Sequence, residues 1–420
     1  MEKKLYRVFL VMNESRIRFF KKKIKDFDYP LNEIMIIKKS LKICDGEIKL
    51  IGGSVRNLLL NQKVSKDIDL VTNLEPKKVI NCFQKSNLKF YKTGLEFGCI
   101  TVEINKKKIE ITSLRKDIRK EGRWPKVTYT SNWKEDASRR DFTINSIYVD
   151  LGGKIYDPFN GVNDLKKKKV KFIGDPIERI KEDYLRILRF FRFSIQFAKE
   201  IDKQGLIAAL KLLNNINELS FERRFDELRK ILILNEFEKK VTFFVDNSII
   251  NKIFSLQVQT KNISKFLSYE RKLNRIDHKR RFKFFVKDYK DSKNWKFSKL
   301  IKKEDLKRFK IFIIFRKYDS LEIKQKIYTF GLINVIDQLF FDASDSLISL
   351  KKLNTLITLA ETWEKPKFLL KGDDLKKLGL KPGKQMGSLI KETENWWIKN
   401  NFKPKKLDCV NFLKDHLPRN

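Results

Sequence analysis

A short apolar run, a glycine pair, a helix-like segment and two closely spaced aspartates follow one another between residues 51 and 73. The sequence there reads IGGSVRNLLLNQKVSKDIDLVTN. Gly52 and Gly53 break the apolar run, and Asp67 and Asp69 stand two positions apart. The pattern predicts a strand, a glycine turn, a helix and a second strand that carries both aspartates. The chain is therefore expected to build an α/β unit around this stretch.

The glycine turn indicates a site for an anion. Without side chains, Gly52 and Gly53 let backbone N–H groups come close to a phosphate, and the N-terminus of the predicted helix Val55–Leu60 adds partial positive charge. Arg56, one turn into that helix, can add a rigid fork of donors. These residues together favour a bound phosphate group.

The two aspartates indicate a site for a divalent cation. Side chains alternate along a strand, so Asp67 and Asp69 are expected to share one face, where their charges repel unless a cation lies between them. Carboxylate oxygens with open positions suit Mg²⁺ holding a triphosphate. A glycine pair alone is usually only a turn, and such an aspartate pair alone is usually a solvated strand face. The combination is much rarer, and we interpret it as a magnesium–triphosphate site.

The segments GGSVRN and DIDL resemble the first signature of a branch of the nucleotidyltransferase superfamily. This branch contains the class II CCA-adding enzymes and the bacterial poly(A) polymerases. The family commonly has aspartate after the arginine, where this chain has Asn57, which we interpret as support for the turn. The resemblance implies that Asp67 and Asp69 are the catalytic metal ligands.

A second motif, RRDFTIN, follows at residues 139–145 and is similar to the second motif of the same family. The resemblance implies that Arg140 contacts nucleotide phosphates. It also implies that Asp141 accepts from a ribose hydroxyl and so selects ribonucleotides. Arg139 and Asn145 are expected to brace the motif.

A strong helical pattern covers Ile177–Phe197, in which Asp183, Arg186, Arg189 and Arg192 recur every three residues. Alone, this pattern is typical of an amphipathic helix. EDYLR, however, matches the family motif in which protein side chains replace a nucleic-acid template. The resemblance implies that Asp183 and Arg186 read the incoming base, and that Arg189 and Arg192 follow the phosphates or brace the readers.

The chemistry of an aspartate–arginine pair suits cytosine and adenine. Both bases present an amino donor beside a ring-nitrogen acceptor, which an aspartate and an arginine can pair. Guanine and uracil present a carbonyl at the corresponding place and would leave buried polar groups unpaired, which is costly.

Strand-like alternation is predicted at residues 89–91, 99–104 and 108–112. Glu110 stands in the last of these; it either completes a two-metal site or faces solvent, and both interpretations remain open. Ser113–Ser131 has no clear period and is predicted to be a mobile loop. By resemblance, this is the flexible loop implicated in the family's switch from adding C to adding A.

Charge and cysteine content narrow the class of protein. A formal net charge of +40 favours a polyanionic partner, although a general lysine bias of the proteome would produce the same net charge. Two histidines and four cysteines without a CxxC pair argue against a zinc site and a disulfide framework. No stretch has the pattern of a membrane span or a secretory signal, so a cytoplasmic location is expected. The four cysteines are Cys44, Cys82, Cys99 and Cys409.

The expected fold is α+β, with a small nucleotidyltransferase-type sheet followed by mostly helical segments. We expect a catalytic head (1–155), a base-selecting neck (156–235), a helical body (236–360) and a tail that contacts tRNA (361–420). In the body, phenylalanines among basic residues are interpreted as helix core faces with basic outer faces, and stacking on RNA bases is the alternative.

The expected activity is addition of C, C and A to the 3′ end of tRNA from CTP and ATP, with Mg²⁺ as cofactor. No membrane and no protein partner are predicted. A poly(A) polymerase shares every motif and differs in its product. A nucleotidyltransferase for small molecules has no use for the charge or the base-reading helix. A non-catalytic RNA-binding protein explains the charge but not the paired aspartates.

Overall fold

The computed structural model describes residues 30–62, 68–117, 127–254, 258–286 and 303–416. Asp67 therefore lies outside the described residues. The chain divides into two compact units, 1–227 and 228–420, each of which is described by itself.

The first unit is built on a mixed sheet of seven strands in the order β3-β4-β5-β2-β1-β8-β9. Strands β2 and β5 are parallel, and all other neighbours are antiparallel. Strands β6 and β7 form a separate antiparallel pair. The strands are β1 Ile48–Ile51, β2 Leu70–Thr72, β3 Lys89–Tyr91, β4 Cys99–Ile104, β5 Lys107–Ser113, β6 Arg115–Asp117, β7 Val127–Tyr129, β8 Tyr148–Asp150 and β9 Ile155–Tyr156.

The first unit has helices between its strands and further helices after the last strand. They are α1 Leu31–Leu41, α2 Gly52–Leu59, α3 Pro76–Lys85, α4 Trp133–Ser138, α5 Gly161–Lys166, α6 Pro176–Glu182, α7 Leu185–Phe197, α8 Lys203–Lys211 and α9 Phe221–Leu232, the last of which begins in this unit. Apolar residues three and four positions apart on α1 and α3 pack against one face of the sheet and form its main core.

Two local predictions were wrong in an informative way. The helix after the glycine pair begins at Gly52 itself, so the glycines form its first turn. The predicted loop 113–131 begins and ends in the paired strands β6 and β7, and its middle, 118–126, lies outside the described residues.

The predicted single helix Ile177–Phe197 is interrupted. Asp183 is extended (φ −158°) between α6 and α7, and its carboxylate accepts from the backbone N–H of Leu185. Aspartate commonly stabilises a helix start in this way. Because the apolar spacing continues across the break, periodicity alone did not reveal it.

Among the residues that the structure describes, helices joined by loops are the regular structure of the second unit. Its helices are α10 Phe237–Asp246, α11 Ile249–Phe254, α12 Ile263–Lys272, α13 His278–Phe285, α14 Lys303–Lys310, α15 Ser320–Phe330, α16 Leu332–Ser344, α17 Leu350–Thr362, α18 Gly372–Lys376, α19 Lys384–Lys399 and α20 Lys406–Asp415. Within the described ranges, every helix is too short or too polar to cross a bilayer.

Helix α13 tests the interpretation of the basic, phenylalanine-rich body. Phe282 and Phe284 are buried, which confirms for this helix that the aromatic residues form a core face. The expected basic outer face is wrong here. Arg280 and Arg281 are also buried, and both donate to the buried carboxylate of Glu270. Buried charges of this kind are tolerated because each one is paired.

The last helices of the second unit enclose a small core of their own around Trp397. The Trp397 ring N–H donates to the carbonyl of Pro404 at 3.0 Å, and Trp396 stacks on Phe412 with ring centroids 4.5 Å apart. The tryptophan pair therefore stabilises the C-terminal segment.

Candidate functional site

A cleft of about 370 Å³ in the first unit collects all the predicted site residues except Asp67. Five arginines and three aspartates dominate its lining. The lining residues are Gly52, Gly53, Arg56, Asp69, Arg140, Asp141, Asn145, Asp183, Arg186, Arg189, Arg192 and Phe193. The cleft therefore offers an anion-binding surface with a few carboxylates.

Gly52 lies where the first strand turns into a helix N-terminus. Its φ of +71° is in the left-handed region that favours glycine, and a Cβ built there would lie 3.0 Å from a carboxylate oxygen of Asp69. Asp69 precedes β2 and is not within it, which corrects the prediction that it lies on the strand. Its carbonyl nevertheless accepts from the N–H of Ile51 at 3.1 Å. Pairing between β1 and β2 thus places the Asp69 carboxylate beside the glycine turn.

The donors near this turn suit a hard divalent cation. The Asp69 carboxylate faces the cleft. In parallel register Leu70 pairs with Ile111, so one position earlier Asp69 aligns with the exposed Glu110. No group of three metal-ligating side chains occurs within the described ranges, which leave Asp67 out. Oxygen ligands of this type fit Mg²⁺ better than softer metals.

Arg56 is buried and directed into the cleft. It donates to the side-chain oxygen of Asn145 at 2.6 Å, and its guanidinium lies 4.4 Å from the ring centroid of Phe197. Burial, followed by the charge of Arg192, lowers the pKa of Arg56 to about 10. Its Nε is buried without a hydrogen-bond partner in the described structure. Arg56 stays charged at neutral pH, and a bound anion would offset the cost of burying it.

Asp136, which the sequence analysis did not single out, organises the second motif. Its fully buried carboxylate accepts from Arg139 at 2.6 Å, from Arg140 at 3.2 Å and from the Tyr148 hydroxyl at 2.7 Å. Burial alone would raise the pKa of Asp136, but the charges of Arg140 and Arg139 outweigh it and lower that pKa. The available signal was an aspartate three and four positions before an arginine pair, which is the spacing of neighbours on a helix.

The substitution Asp136→Asn is expected to destabilise the first unit by about 3–5 kcal/mol, because it leaves two part-buried arginines without their countercharge. A folded pKa below the unfolded value means that this stabilisation is complete above about pH 4 and is lost as pH falls through the lowered pKa. The free energy of unfolding, measured with denaturant, should therefore differ less between Asp136→Asn and the wild type at pH 3 than at pH 7.

The matched control is Asp175→Asn. Asp175 caps α6 through the N–H of Glu178, and asparagine caps a helix about as well. This variant should stay within about 0.5 kcal/mol of wild type. If the loss of unfolding free energy in Asp136→Asn is larger at pH 3 than at pH 7, Asp136 does not stabilise the first unit as an ionised partner of the two arginines.

Asp141 is held on several sides. It accepts from Arg189 at 2.6 Å, from Asn145 at 3.0 Å and from the N–H of Phe142 at 2.9 Å. Burial opposes ionisation, but Arg189 outweighs it and lowers the pKa of Asp141. Asn145 also accepts from Arg56, so it connects the two motifs, as expected of a bracing residue.

The two predicted base-reading residues lie at the junction of α6 and α7. Arg223 donates to both carboxylate oxygens of Asp183, at 2.8 and 3.0 Å. Arg186 donates to Glu182 and to the carbonyls of Arg179 and Arg139. Both side chains are therefore oriented before any nucleotide binds.

A further arginine, missed in the sequence, connects this junction to the second motif. One nitrogen of Arg179 donates to the carbonyls of Arg139 and Arg140, at 2.5 and 2.6 Å. Its other terminal nitrogen donates to Glu182, which also pairs with Arg186. No sequence pattern distinguished Arg179 from the other arginines. On α7, Arg192, which the sequence did indicate, pairs with Glu227 at 2.6 Å.

The mixed sheet, the glycine turn beside an aspartate and the arginine-lined cleft are those of a nucleotidyltransferase head. Residues 48–171 match the family model described as the poly(A) polymerase head domain. Human mitochondrial CCA tRNA nucleotidyltransferase 1 is 30% identical over 391 residues, which cover 88% of this chain and 86% of the relative. The chain belongs to the CCA tRNA nucleotidyltransferase family.

Bacterial relatives and solved structures of CCA-adding enzymes are also similar to this chain. A CCA-adding enzyme of Streptococcus pyogenes is 28% identical, over 85% of this chain and 90% of the relative. The CCA-adding enzyme of Bacillus stearothermophilus, solved in complex with CTP, has the same fold with a TM-score of 0.73 at 20% identity, over 92% of this chain and 97% of that chain. A Thermotoga maritima CCA-adding enzyme complexed with tRNA has a TM-score of 0.60 at 18% identity, over 94% and 98% of the two chains.

Proposed function

We propose that this protein adds C, C and A to the 3′ end of tRNA from CTP and ATP and releases pyrophosphate. The single observation that carries the proposal is the cleft that joins Asp69 and the glycine turn to the Asp183–Arg186 pair. Membership of the CCA tRNA nucleotidyltransferase family supports this product over a poly(A) tract.

The triphosphate is proposed to lie along the glycine turn. Backbone N–H groups at Gly52 and Gly53 and the guanidinium groups of Arg56 and Arg140 would hold its oxygens. All four residues line the cleft, and both arginines are fixed by buried partners. Catalysis then depends mainly on positioning and on neutralising charge.

Asp67 and Asp69 are proposed to hold Mg²⁺, with Glu110 as a further candidate ligand. When bound, the metal would lower the pKa of the RNA 3′-hydroxyl and stabilise the departing pyrophosphate. The position of Asp69 against Gly52 supports this assignment. A side chain at position 52 would compete for the space that the carboxylate occupies.

Base selection is proposed to rest on Asp183 and Arg186. The carboxylate of Asp183 would accept from the amino group of cytosine or adenine, and Arg186 would donate to the ring acceptor. The bonds from Arg223 to Asp183 and from Arg186 to main-chain carbonyls support rigid readers. Rigid readers reject a base whose groups do not match.

The remaining predicted residues complete the nucleotide site. Asp141 is proposed to accept from the ribose hydroxyl, while its pairing with Arg189 also favours a positioning role. Arg189 and Arg192 lie in the cleft, where they would follow the phosphates or brace the readers.

The RNA partner is proposed to be tRNA, held in part by the net charge of +40. The division into head, neck, body and tail is kept as a proposal, with the tail as the segment that contacts tRNA. A cytoplasmic location stays a prediction, since the human relative is named as mitochondrial.

One assay separates the candidate products. A tRNA transcript that lacks its last three nucleotides is incubated with each nucleoside triphosphate alone and with all four together, and the RNA ends are sequenced. Two cytidines followed by one adenosine are expected. A long adenosine tract would establish the poly(A) polymerase alternative, and unchanged ends would contradict both.

The Arg179→Ala variant is expected to raise the KM for CTP and ATP roughly 10- to 100-fold, because two charge-assisted hydrogen bonds that join the readers to the second motif are lost. Lysine lacks the fork and should restore little. The control Lys181→Ala removes only an exposed pair with Glu178. Loss of kcat with unchanged KM, or full rescue by Arg179→Lys, would contradict this positioning role.

A further inference from the structure

Two cysteines that are distant in sequence meet in the first unit. The sulfurs of Cys44 and Cys82 lie 2.8 Å apart. Cys44 ends a short 3₁₀ turn, Lys42–Cys44, after α1, and Cys82 lies on the buried face of α3. The scattered cysteines indicated no disulfide framework, and all four are free thiols in the structure. Only the packing of α1 against α3 brings this pair together.

Hydrogen bonds hold the two segments in place around the sulfurs. The buried Ser40 hydroxyl donates to the carbonyl of Cys82 at 3.0 Å and accepts from Ser86 at 2.7 Å. After Cys44, the N–H of Gly46 donates to the carbonyl of Leu41 at 2.9 Å. Both ends of the pair are thus fixed by their own neighbours, so the sulfurs stay in contact.

We propose that Cys44 and Cys82 form an oxidation site that a peroxide converts to a disulfide. A disulfide bond measures about 2.05 Å, so the sulfurs have to approach each other by less than about 1 Å. Cys44 is half-buried and within reach of a small oxidant, whereas Cys82 is buried. Disulfides that form in reducing compartments are usually transient and either catalytic or redox-sensing.

The reaction balances with hydrogen peroxide as the oxidant. The Cys44 thiolate attacks one peroxide oxygen, the O–O bond breaks, and the hydroxide that leaves takes up a proton, which leaves a sulfenic acid. The Cys82 sulfur then attacks the Cys44 sulfur, the S–O bond breaks, and the departing hydroxide takes up the Cys82 proton. Two thiols lose two electrons, and one peroxide becomes two waters. Burial, followed by the neighbouring Cys44, raises the pKa of Cys82 to about 12, so Cys82 keeps its proton until the departing hydroxide removes it in the second step.

A disulfide between Cys44 and Cys82 would close a loop that contains the central residues of the candidate site. Residues 44–82 include β1, the glycine turn, α2, Asp69 and β2. A cross-link at the base of this segment limits the freedom of the unfolded chain and leaves the native positions almost unchanged. Oxidation is therefore expected to stabilise the first unit and to preserve nucleotide addition.

The test uses the full chain treated with a stoichiometric amount of hydrogen peroxide. Thiols titrated in denaturant should fall from the four of the sequence to two and return to four after a phosphine reductant. Peptide mapping should recover the peptides that contain Cys44 and Cys82 as a linked pair. The melting temperature of the first unit should rise by about 5–10 °C.

Serine variants supply the matched controls. Cys44→Ser should keep three thiols, whereas Cys82→Ser should lose at most the Cys44 thiol, as a sulfenic acid, and neither variant should show a melting shift. Cys99→Ser should fall from three thiols to one with the full shift. Four thiols that survive in the wild type would overturn the proposal. So would thiols that the reductant does not recover, or a link that involves Cys409.

Discussion

Asparagine in place of Asp69 is expected to reduce nucleotide incorporation at least ~1000-fold while tRNA affinity stays within about twofold. The substitution keeps the size of the side chain and removes the charge that would hold Mg²⁺. The Asp69 carboxylate lies at the cleft beside Gly52, where a Cβ at position 52 would be 3.0 Å from one of its oxygens. The net charge of +40, which is proposed to drive tRNA capture, is hardly altered. Single-turnover incorporation and a filter-binding titration measure the two quantities.

Asp202→Asn is the matched control for this experiment. Asp202 caps α8 through the N–H of Gly205, and asparagine can replace it there, so activity should remain near that of the wild type. Asp67→Ala should also abolish incorporation and leave tRNA binding nearly intact. If Asp69→Asn retains more than about a tenth of the activity, the metal assignment fails.

Alanine in place of Asp183 is expected to reduce discrimination between CTP and UTP by about 100-fold, with a smaller effect on the rate with CTP. Its carboxylate is the proposed acceptor for the amino group that uracil lacks, and a hydrogen bond to a charged group contributes about 1.5–3 kcal/mol. Loss of the carboxylate also leaves Arg223 without its bidentate partner. Incorporation of each nucleotide, measured separately, gives the ratios.

Glu178→Gln provides the comparison, since Glu178 is an exposed residue of α6 that pairs with Lys181. Its selectivity should match that of the wild type. A pattern in which Asp183→Ala slows all four nucleotides equally would make Asp183 a structural residue of the α6–α7 junction and remove it from the set of base readers.

Local patterns in the sequence predicted much of the sheet and most of the cleft. Strands at 89–91 and 99–104 are observed at those bounds, since β alternation requires only neighbouring residues. Gly52, Arg140, Asp183 and the other charged residues of the cleft were predicted because they occur in short motifs. The motifs did not reveal Asp136 or Arg179, which lie outside them and contact them only in the folded chain, Asp136 through Arg139 and Arg140 and Arg179 through main-chain carbonyls.

The sequence by itself determined which residues are the candidates for the chemistry, because motif spacing and residue type are properties of the linear chain. Tertiary structure alone decided the strand order, the interruption at Asp183 and the contact between Cys44 and Cys82. It also decided that two arginines of the cleft, Arg140 and Arg192, are held by the carboxylates of Asp136 and Glu227. These features depend on pairings between distant segments, whose energies come from burial and charge in the folded state and leave no local period in the chain.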